Sequence, residues 1–93
     1  MIRYLVEYSL KGDDPRKDLK PAHKDFLRKY YEDGTLICAG VFTDGPGGYL
    51  LFRTASEEET RRILEQDPYI VNGARQYRIR AWDLSPFPLR ESG

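Results

Sequence analysis

The chain has 93 residues, in which 15 basic and 15 acidic side chains balance to a formal net charge of zero at pH 7. This length fits one domain, and a composition that is 40% hydrophobic and 13% aromatic argues against a disordered chain. The lack of net charge argues against binding to nucleic acid or to an anionic membrane, because both depend on a basic surface.

The predicted elements begin with a strand at residues 2–10, in which strongly apolar and more polar positions alternate. Residues 11–15 predict a turn. Residues 18–34 then predict an amphipathic helix, with Pro21 in its first turn and Gly34 at its C-terminal end. The apolar face of this helix includes the only histidine of the chain and comprises Leu19, His23, Phe26, Leu27 and Tyr30.

A second strand is predicted at residues 36–42, where an unbroken apolar run favours burial on both faces. Cys38 should therefore be buried, and Gly40 indicates a bulge or a close approach of the backbone. The glycine-rich turn at residues 43–48 connects this strand to a third at residues 49–53, so the two strands form a hairpin.

A second helix is predicted to begin at Ser56, whose hydroxyl can accept a hydrogen bond from the Glu59 N–H in a capping box. The helix should end two residues before Pro68, because the residue that precedes a proline is disfavoured in a helix. Residues 68–72 are compatible with one further helical turn. The fourth strand is predicted at residues 74–82.

The element order is strand, helix, strand, strand, helix, strand, which predicts an α+β protein with the ferredoxin-like βαββαβ fold. Such a fold has an antiparallel four-stranded sheet with two helices on one face. We assign residues 1–84 to this domain and residues 85–93 to a C-terminal tail. The first strand is too apolar for the opposite face of the sheet to be fully solvated, so we predict a homodimer in which two sheets stack.

His23 and Asp67 are the candidate catalytic residues. Asp67 follows the second helix and would face the negative end of its dipole, so it needs a compensating partner, and His23 on the neighbouring helix can supply one. A carboxylate that accepts from one imidazole nitrogen leaves the other free as a general base or acid. Two further interpretations remain open from the residues alone: His23 can be a packed histidine, and Asp67 can be the N-cap of residues 68–72.

Other kinds of site find little support. One histidine and one cysteine cannot supply the ligands of a zinc site, so no metal and no other cofactor is predicted. Acyl transfer would need a nucleophile, and Cys38 lies within the predicted buried strand. An RNA-binding domain with the same element order would use the aromatic residues at 48–52, but the basic and small residues of its motif are missing there.

Several short motifs occur in an order that resembles the YciI-like family. They extend from the helix that contains His23 to the last strand and consist of Pro21-Ala22-His23, Gly34-Thr35-Leu36, Ala39-Gly40, Asp44 with the glycine turn, Asp67-Pro68-Tyr69, Gly73 and Trp82. The resemblance implies a dimeric ferredoxin-like α/β-barrel similar to muconolactone isomerase, with His23 and Asp67 matching the family's His–Asp pair. Most members have no known activity, and one branch resembles a dehydrochlorinase that acts on a chlorinated hydroxyhydroquinone.

Two positions depart from the family pattern. Lys20 stands where the family often has arginine, and Val41 stands where it often has proline. Lysine keeps the positive charge but loses the planar, two-pronged geometry of a guanidinium group. We expect Lys20, Gly40 and Tyr69 to bind the substrate, because they lie in or beside the family motifs, although the residues alone favour a place for Tyr69 in the hydrophobic core.

These features predict a cofactor-free acid–base enzyme of the lyase, isomerase or dehydrochlorinase type that acts on a small polar or phenolic molecule. The alternative is a non-catalytic module of the same fold that binds a small ligand or takes part in an interaction. The N-terminal residues lack the features of a signal peptide, and no apolar run approaches the roughly 20 residues that span a bilayer. We therefore expect a cytoplasmic protein that does not contact membranes.

Overall fold

A computed structural model of the chain describes residues 1–10, 16–85 and 87. Within those residues the elements are β1 (Ile2–Leu10), α1 (Arg16–Glu32), β2 (Leu36–Val41), β3 (Gly48–Phe52), α2 (Glu57–Leu64), α3 (Pro68–Val71) and β4 (Arg75–Asp83). The strands form one antiparallel sheet in the order β2-β3-β1-β4. This arrangement confirms the predicted ferredoxin-like fold. The predicted turn at residues 11–15 and most of the predicted tail at residues 85–93 lie outside the described residues.

The central strand β1 carries the core of the domain. Its residues alternate as predicted, with Val6 and Tyr8 buried and Glu7 exposed between them. The buried side chains of the sheet and of the helices form one hydrophobic cluster, so α1 and α2 cover the same face. Its members are Val6, Tyr8, Leu36, Leu50, Phe52, Ile63, Leu64, Tyr69 and Ala74.

The long helix α1 packs its predicted apolar face against this core, where Leu19, Phe26, Leu27 and Tyr30 are half-buried. It begins at Arg16, two residues earlier than predicted, so Pro21 lies in its second turn and not in its first. Because proline has no N–H, the hydrogen bond that residue 21 would donate to the carbonyl of residue 17 is missing. The helix ends as predicted, with Gly34 in the left-handed region at a φ of 87°.

The prediction that β2 is buried on both faces is wrong. Among the described strands, β2 is at the sheet edge and pairs only with β3. Leu36 is buried, whereas Cys38 to Val41 are exposed. An apolar run therefore does not guarantee burial, because the position of the strand in the sheet decides what covers it. The bulge suggested by Gly40 is also displaced, since the pairing register shifts between Leu36 and Cys38.

The capping box of α2 is present. The Glu59 N–H donates to Ser56 Oγ at 3.1 Å, and the Glu59 carboxylate accepts from the N–H of Ala55 at 2.8 Å, one residue before the cap. The predicted turn after Pro68 is the short helix α3, which Gly73 follows at a φ of 70°. In the described part of the chain, no helix combines the length and the apolar character that crossing a membrane requires.

Candidate functional site

The side chain of Asp67 is completely buried at the start of α3. Its Oδ1 accepts a hydrogen bond from the Tyr69 N–H at 3.0 Å, which makes Asp67 the N-cap of α3, with Pro68 following it as the first helical residue. This confirms the interpretation of Asp67 as the N-cap of residues 68–72. α2 ends at Leu64, and the carboxylate stabilises the beginning of the next helix.

His23 meets this carboxylate from α1. Its Nδ1 lies 2.8 Å from Oδ1 and 3.0 Å from Oδ2 of Asp67, so the cap of α3 is also the partner of the imidazole. A carboxylate can only accept, so Nδ1 carries the proton and donates it. Nε2 has no hydrogen-bond partner among the described residues. Every buried side-chain nitrogen or oxygen of those residues has a partner, so Nε2 is not buried. It is therefore open to the adjacent cleft, which His23 lines.

Tyr8 is a third member of this group, and it was not among the residues predicted for the acid–base site. Its hydroxyl donates to Asp67 Oδ2 from the middle of the sheet. Burial raises the pKa of Tyr8, and the neighbouring Asp67 carboxylate raises it further, so the hydroxyl stays protonated and remains a donor. The sequence did contain a feature that could have identified this contact. A tyrosine on the apolar face of β1 is expected to be buried, and a buried phenol needs a hydrogen-bond partner.

An aromatic stack holds the other side of the imidazole. The rings of His23 and Tyr69 are stacked with their centroids 4.1 Å apart and their planes inclined by 24°. The guanidinium carbon of Arg75 lies 4.7 Å from the centre of the Tyr69 ring, in a cation–π contact. Tyr69 is thus both a core residue, as one interpretation of the sequence held, and a neighbour of His23. Arg75 was not anticipated from the sequence.

The imidazole faces a cleft of about 300 Å³ between α1 and the ends of β2 and β3. The three residues that we expected to bind the substrate, Lys20, Gly40 and Tyr69, all line it together with His23. The remaining lining is mainly apolar or glycine backbone and consists of Tyr8, Lys24, Leu27, Ala39, Val41, Gly47, Gly48, Tyr49, Leu50 and Arg75. The cleft is therefore a largely apolar space with one titratable ring nitrogen at its wall.

Cys38 differs from its prediction because it is exposed on the edge strand. It does not line the cleft that the imidazole of His23 faces. In the described residues, no group of three or more His, Cys, Asp or Glu side chains is arranged to hold a metal ion.

Comparison with known proteins identifies relatives by fold. No curated protein matches the sequence. One similar solved structure is the 5-chloro-2-hydroxyhydroquinone dehydrochlorinase TftG from Burkholderia phenoliruptrix AC1100, in complex with 2,5-dihydroxybenzoquinone. It aligns with a TM-score of 0.68 and 19% identity over 86% of this chain and 93% of that chain. Protein Atu4242 from Agrobacterium tumefaciens aligns with a TM-score of 0.52 and 13% identity over 94% of this chain and 96% of that chain.

At these identities the two structures show the fold alone. The sequence itself matches the model of the YCII-related domain over residues 1–83, which is nearly the whole of the 93-residue chain. The chain therefore belongs to the family of YCII-related domain proteins.

Proposed function

We propose that the protein is a cofactor-free acid–base enzyme in which His23 transfers protons and Asp67 orients and stabilises it. The observation that carries this proposal is the 2.8 Å contact between His23 Nδ1 and Asp67 Oδ1, with the opposite ring nitrogen open to the cleft. A general base needs its lone pair within reach of the substrate and its other nitrogen fixed by a partner, and this geometry supplies both.

The environment of Asp67 suits an orienting role. The carboxylate is completely buried and accepts from His23, Tyr8 and the Tyr69 backbone, so it is held in one orientation. When Nε2 takes a proton from the substrate, the ring becomes an imidazolium, and the adjacent carboxylate stabilises that positive charge. The ring of Tyr69, stacked on the imidazole, supports it in this orientation.

Two outcomes can follow removal of the proton. If the imidazolium returns the proton to another atom of the substrate, the reaction is an isomerisation. If the electron pair left on the substrate forms a double bond and expels a leaving group as its anion, the reaction is an elimination, and the proton remains on His23 until solvent removes it. The dehydrochlorinase name of the structural neighbour and its ring-shaped bound ligand support the second outcome.

The cleft suggests the size and contacts of the substrate. Its volume of about 300 Å³ suits a molecule with a single ring. We assign substrate contacts to Lys20, Gly40 and Tyr69, through an ammonium group, a strand backbone without a side chain, and an aromatic ring. Such contacts would hold a small polar or phenolic molecule beside Nε2.

Replacement of His23 with alanine should lower turnover by about 10²- to 10⁴-fold, because that is the usual contribution of a general acid or base. The measurement is a screen of hydroxylated and chlorinated aromatics and small lactones with both proteins, with circular dichroism to verify folding. The variant should fold, because His23 lies at the edge of the core with a side chain that is 14% exposed. Activity that survives in the variant would contradict the proposal, and binding without turnover in the native protein would favour a non-catalytic ligand-binding module.

We further propose that two copies associate through the face of the sheet that the helices leave uncovered. This face presents Tyr49 from β3 and Trp82 from β4, which are 47% and 45% exposed, beside the half-buried Leu5 of β1. Large aromatic side chains on an uncovered sheet face are typical of a protein–protein interface. The zero net charge of the chain imposes no repulsion between copies.

Sedimentation equilibrium should therefore give about twice the chain mass of 10.8 kDa at micromolar concentration. Replacement of Trp82 with glutamate should give a monomer, because it places a charge in the proposed interface. Replacement of Val71 with glutamate is the matched control, since Val71 is a 66% exposed apolar residue on α3, away from this face. A monomeric native protein, or a dimer that withstands the Trp82 change, would refute the arrangement.

A further inference from the structure

The charges around the cleft indicate the class of molecule that it takes. Lys20 and Lys24 line the cleft, as does Arg75 in its contact with Tyr69, whereas no aspartate or glutamate of the described residues does so. Since basic and acidic residues balance over the whole chain, this is a local excess of positive charge. The carboxylate that contacts His23, that of Asp67, is completely buried and already engaged by three donors.

Lys20 and Lys24 form a pair on the cleft side of α1. They are four residues apart, so they project from the same face of the helix as His23 and Leu27, which also line the cleft. Two like charges at this spacing destabilise a helix slightly. Neither ammonium group has a carboxylate partner among the described residues. An anion bound between α1 and β2 would provide the missing counter-charge.

The rest of the lining suits an apolar body. Leu27, Ala39, Val41 and Leu50 contribute aliphatic surface, and the volume of about 300 Å³ admits a six-membered ring with one or two substituents. We propose that the cleft selects anionic ring compounds, whose acidic group pairs with Lys20 and Lys24 while the ring contacts the aliphatic wall. The assignment names the substrate class for the proposed function, on which it rests for the reaction itself.

A matched pair of probes tests this selection by isothermal titration calorimetry at low salt. 4-Hydroxybenzoate carries a carboxylate at neutral pH, and 4-hydroxybenzamide has nearly the same shape without the charge. We expect 4-hydroxybenzoate to bind more tightly than 4-hydroxybenzamide. Lys20→Gln and Lys24→Gln should each weaken the binding of 4-hydroxybenzoate by about three- to fivefold. The amide should bind these variants as it binds the native protein. Raising the salt concentration should weaken the binding of 4-hydroxybenzoate and leave that of 4-hydroxybenzamide unchanged.

Lys29→Gln is the matched control, because it removes the same charge from the same helix at an exposed position outside the cleft. It should leave both affinities unchanged. Equal binding of the two probes, no binding of the carboxylate at millimolar concentration, or equal losses in Lys29→Gln and the cleft variants would each overturn the assignment. If 4-hydroxybenzoate binds in a way that depends on the two lysines but no compound is turned over, anion selection is upheld and the catalytic proposal is refuted. If neutral compounds are turned over equally well without the lysines, the catalytic proposal is upheld and anion selection is refuted.

Discussion

Replacement of Asp67 with asparagine should lower the free energy of unfolding by about 3 kcal/mol and move the proton of His23 from Nδ1 to Nε2. The carboxylate is completely buried and accepts three hydrogen bonds, from His23, Tyr8 and the Tyr69 N–H. Asparagine offers one acceptor oxygen and adds two donors, so it cannot satisfy all three partners. Hydrogen bonds to a charged group each contribute about 1.5–3 kcal/mol, which makes this loss large for a small domain.

The tautomer change follows from the same geometry. If the asparagine amide donates toward His23, Nδ1 must accept, and the proton of the neutral ring then resides on Nε2. A ring protonated at Nε2 cannot take a proton from a molecule in the cleft, so turnover should fall together with stability. Urea unfolding measures the first effect, and the ¹⁵N chemical shifts of the imidazole in the neutral state distinguish the two tautomers.

Tyr8→Phe is the control that distinguishes a loss of stability from a change in the tautomer of His23. It removes one of the three donors to Asp67 and should cost about 1.5 kcal/mol, because the buried carboxylate loses a hydrogen bond. It leaves the contact between His23 Nδ1 and Asp67 intact, so the proton should stay on Nδ1. An Asp67→Asn protein that keeps the native tautomer would show that the carboxylate does not set the proton position of His23.

Replacement of Gly48 with alanine should lower the free energy of unfolding by about 3 kcal/mol or more, because it forces β2 away from β3. A Cβ atom at Gly48 would overlap the carbonyl oxygen of Gly40 and would lie 2.9 Å from Cα of Val41. Both are backbone atoms of the paired strand, so no side-chain rotation relieves the contact. Gly48 and Val41 stand opposite each other at the end of this pairing and line the cleft, so its wall should also be displaced.

Gly40 provides the matched control in the same pair of strands. Among the described residues, a Cβ atom at Gly40 would meet no atom within 4 Å, and its φ is not positive. Alanine there should be neutral or should stabilise by less than about 1 kcal/mol, because it restricts the unfolded chain. Urea unfolding of the two variants compares them directly. Equal stabilities would show that the strand spacing adapts to a methyl group without cost.

Some contacts of the candidate site could be predicted from the sequence and others could not. His23 and Asp67 were identified because one is the only histidine and the other precedes Pro68, and their approach followed from placing both helices on one face. Tyr8 was not identified, because it stands 59 residues before Asp67 and its alternating pattern indicates only a core position. Arg75 was missed for the same reason, since its contact with Tyr69 depends on how β4 follows α3.

The sequence by itself determined the elements and placed their ends to within about two residues, because these depend on neighbours within a few residues. Alternation along β1, the Ser56 cap of α2, Pro68 at the start of α3 and the left-handed conformation of Gly34 are all local in this sense. Only the tertiary structure decided the environment of each side chain. It left most of the apolar run of β2 exposed, because that strand is at the sheet edge, and it added two distant donors, His23 and Tyr8, to the carboxylate that caps α3. Burial and convergent hydrogen bonds depend on strand order and helix packing, which no single stretch of chain encodes.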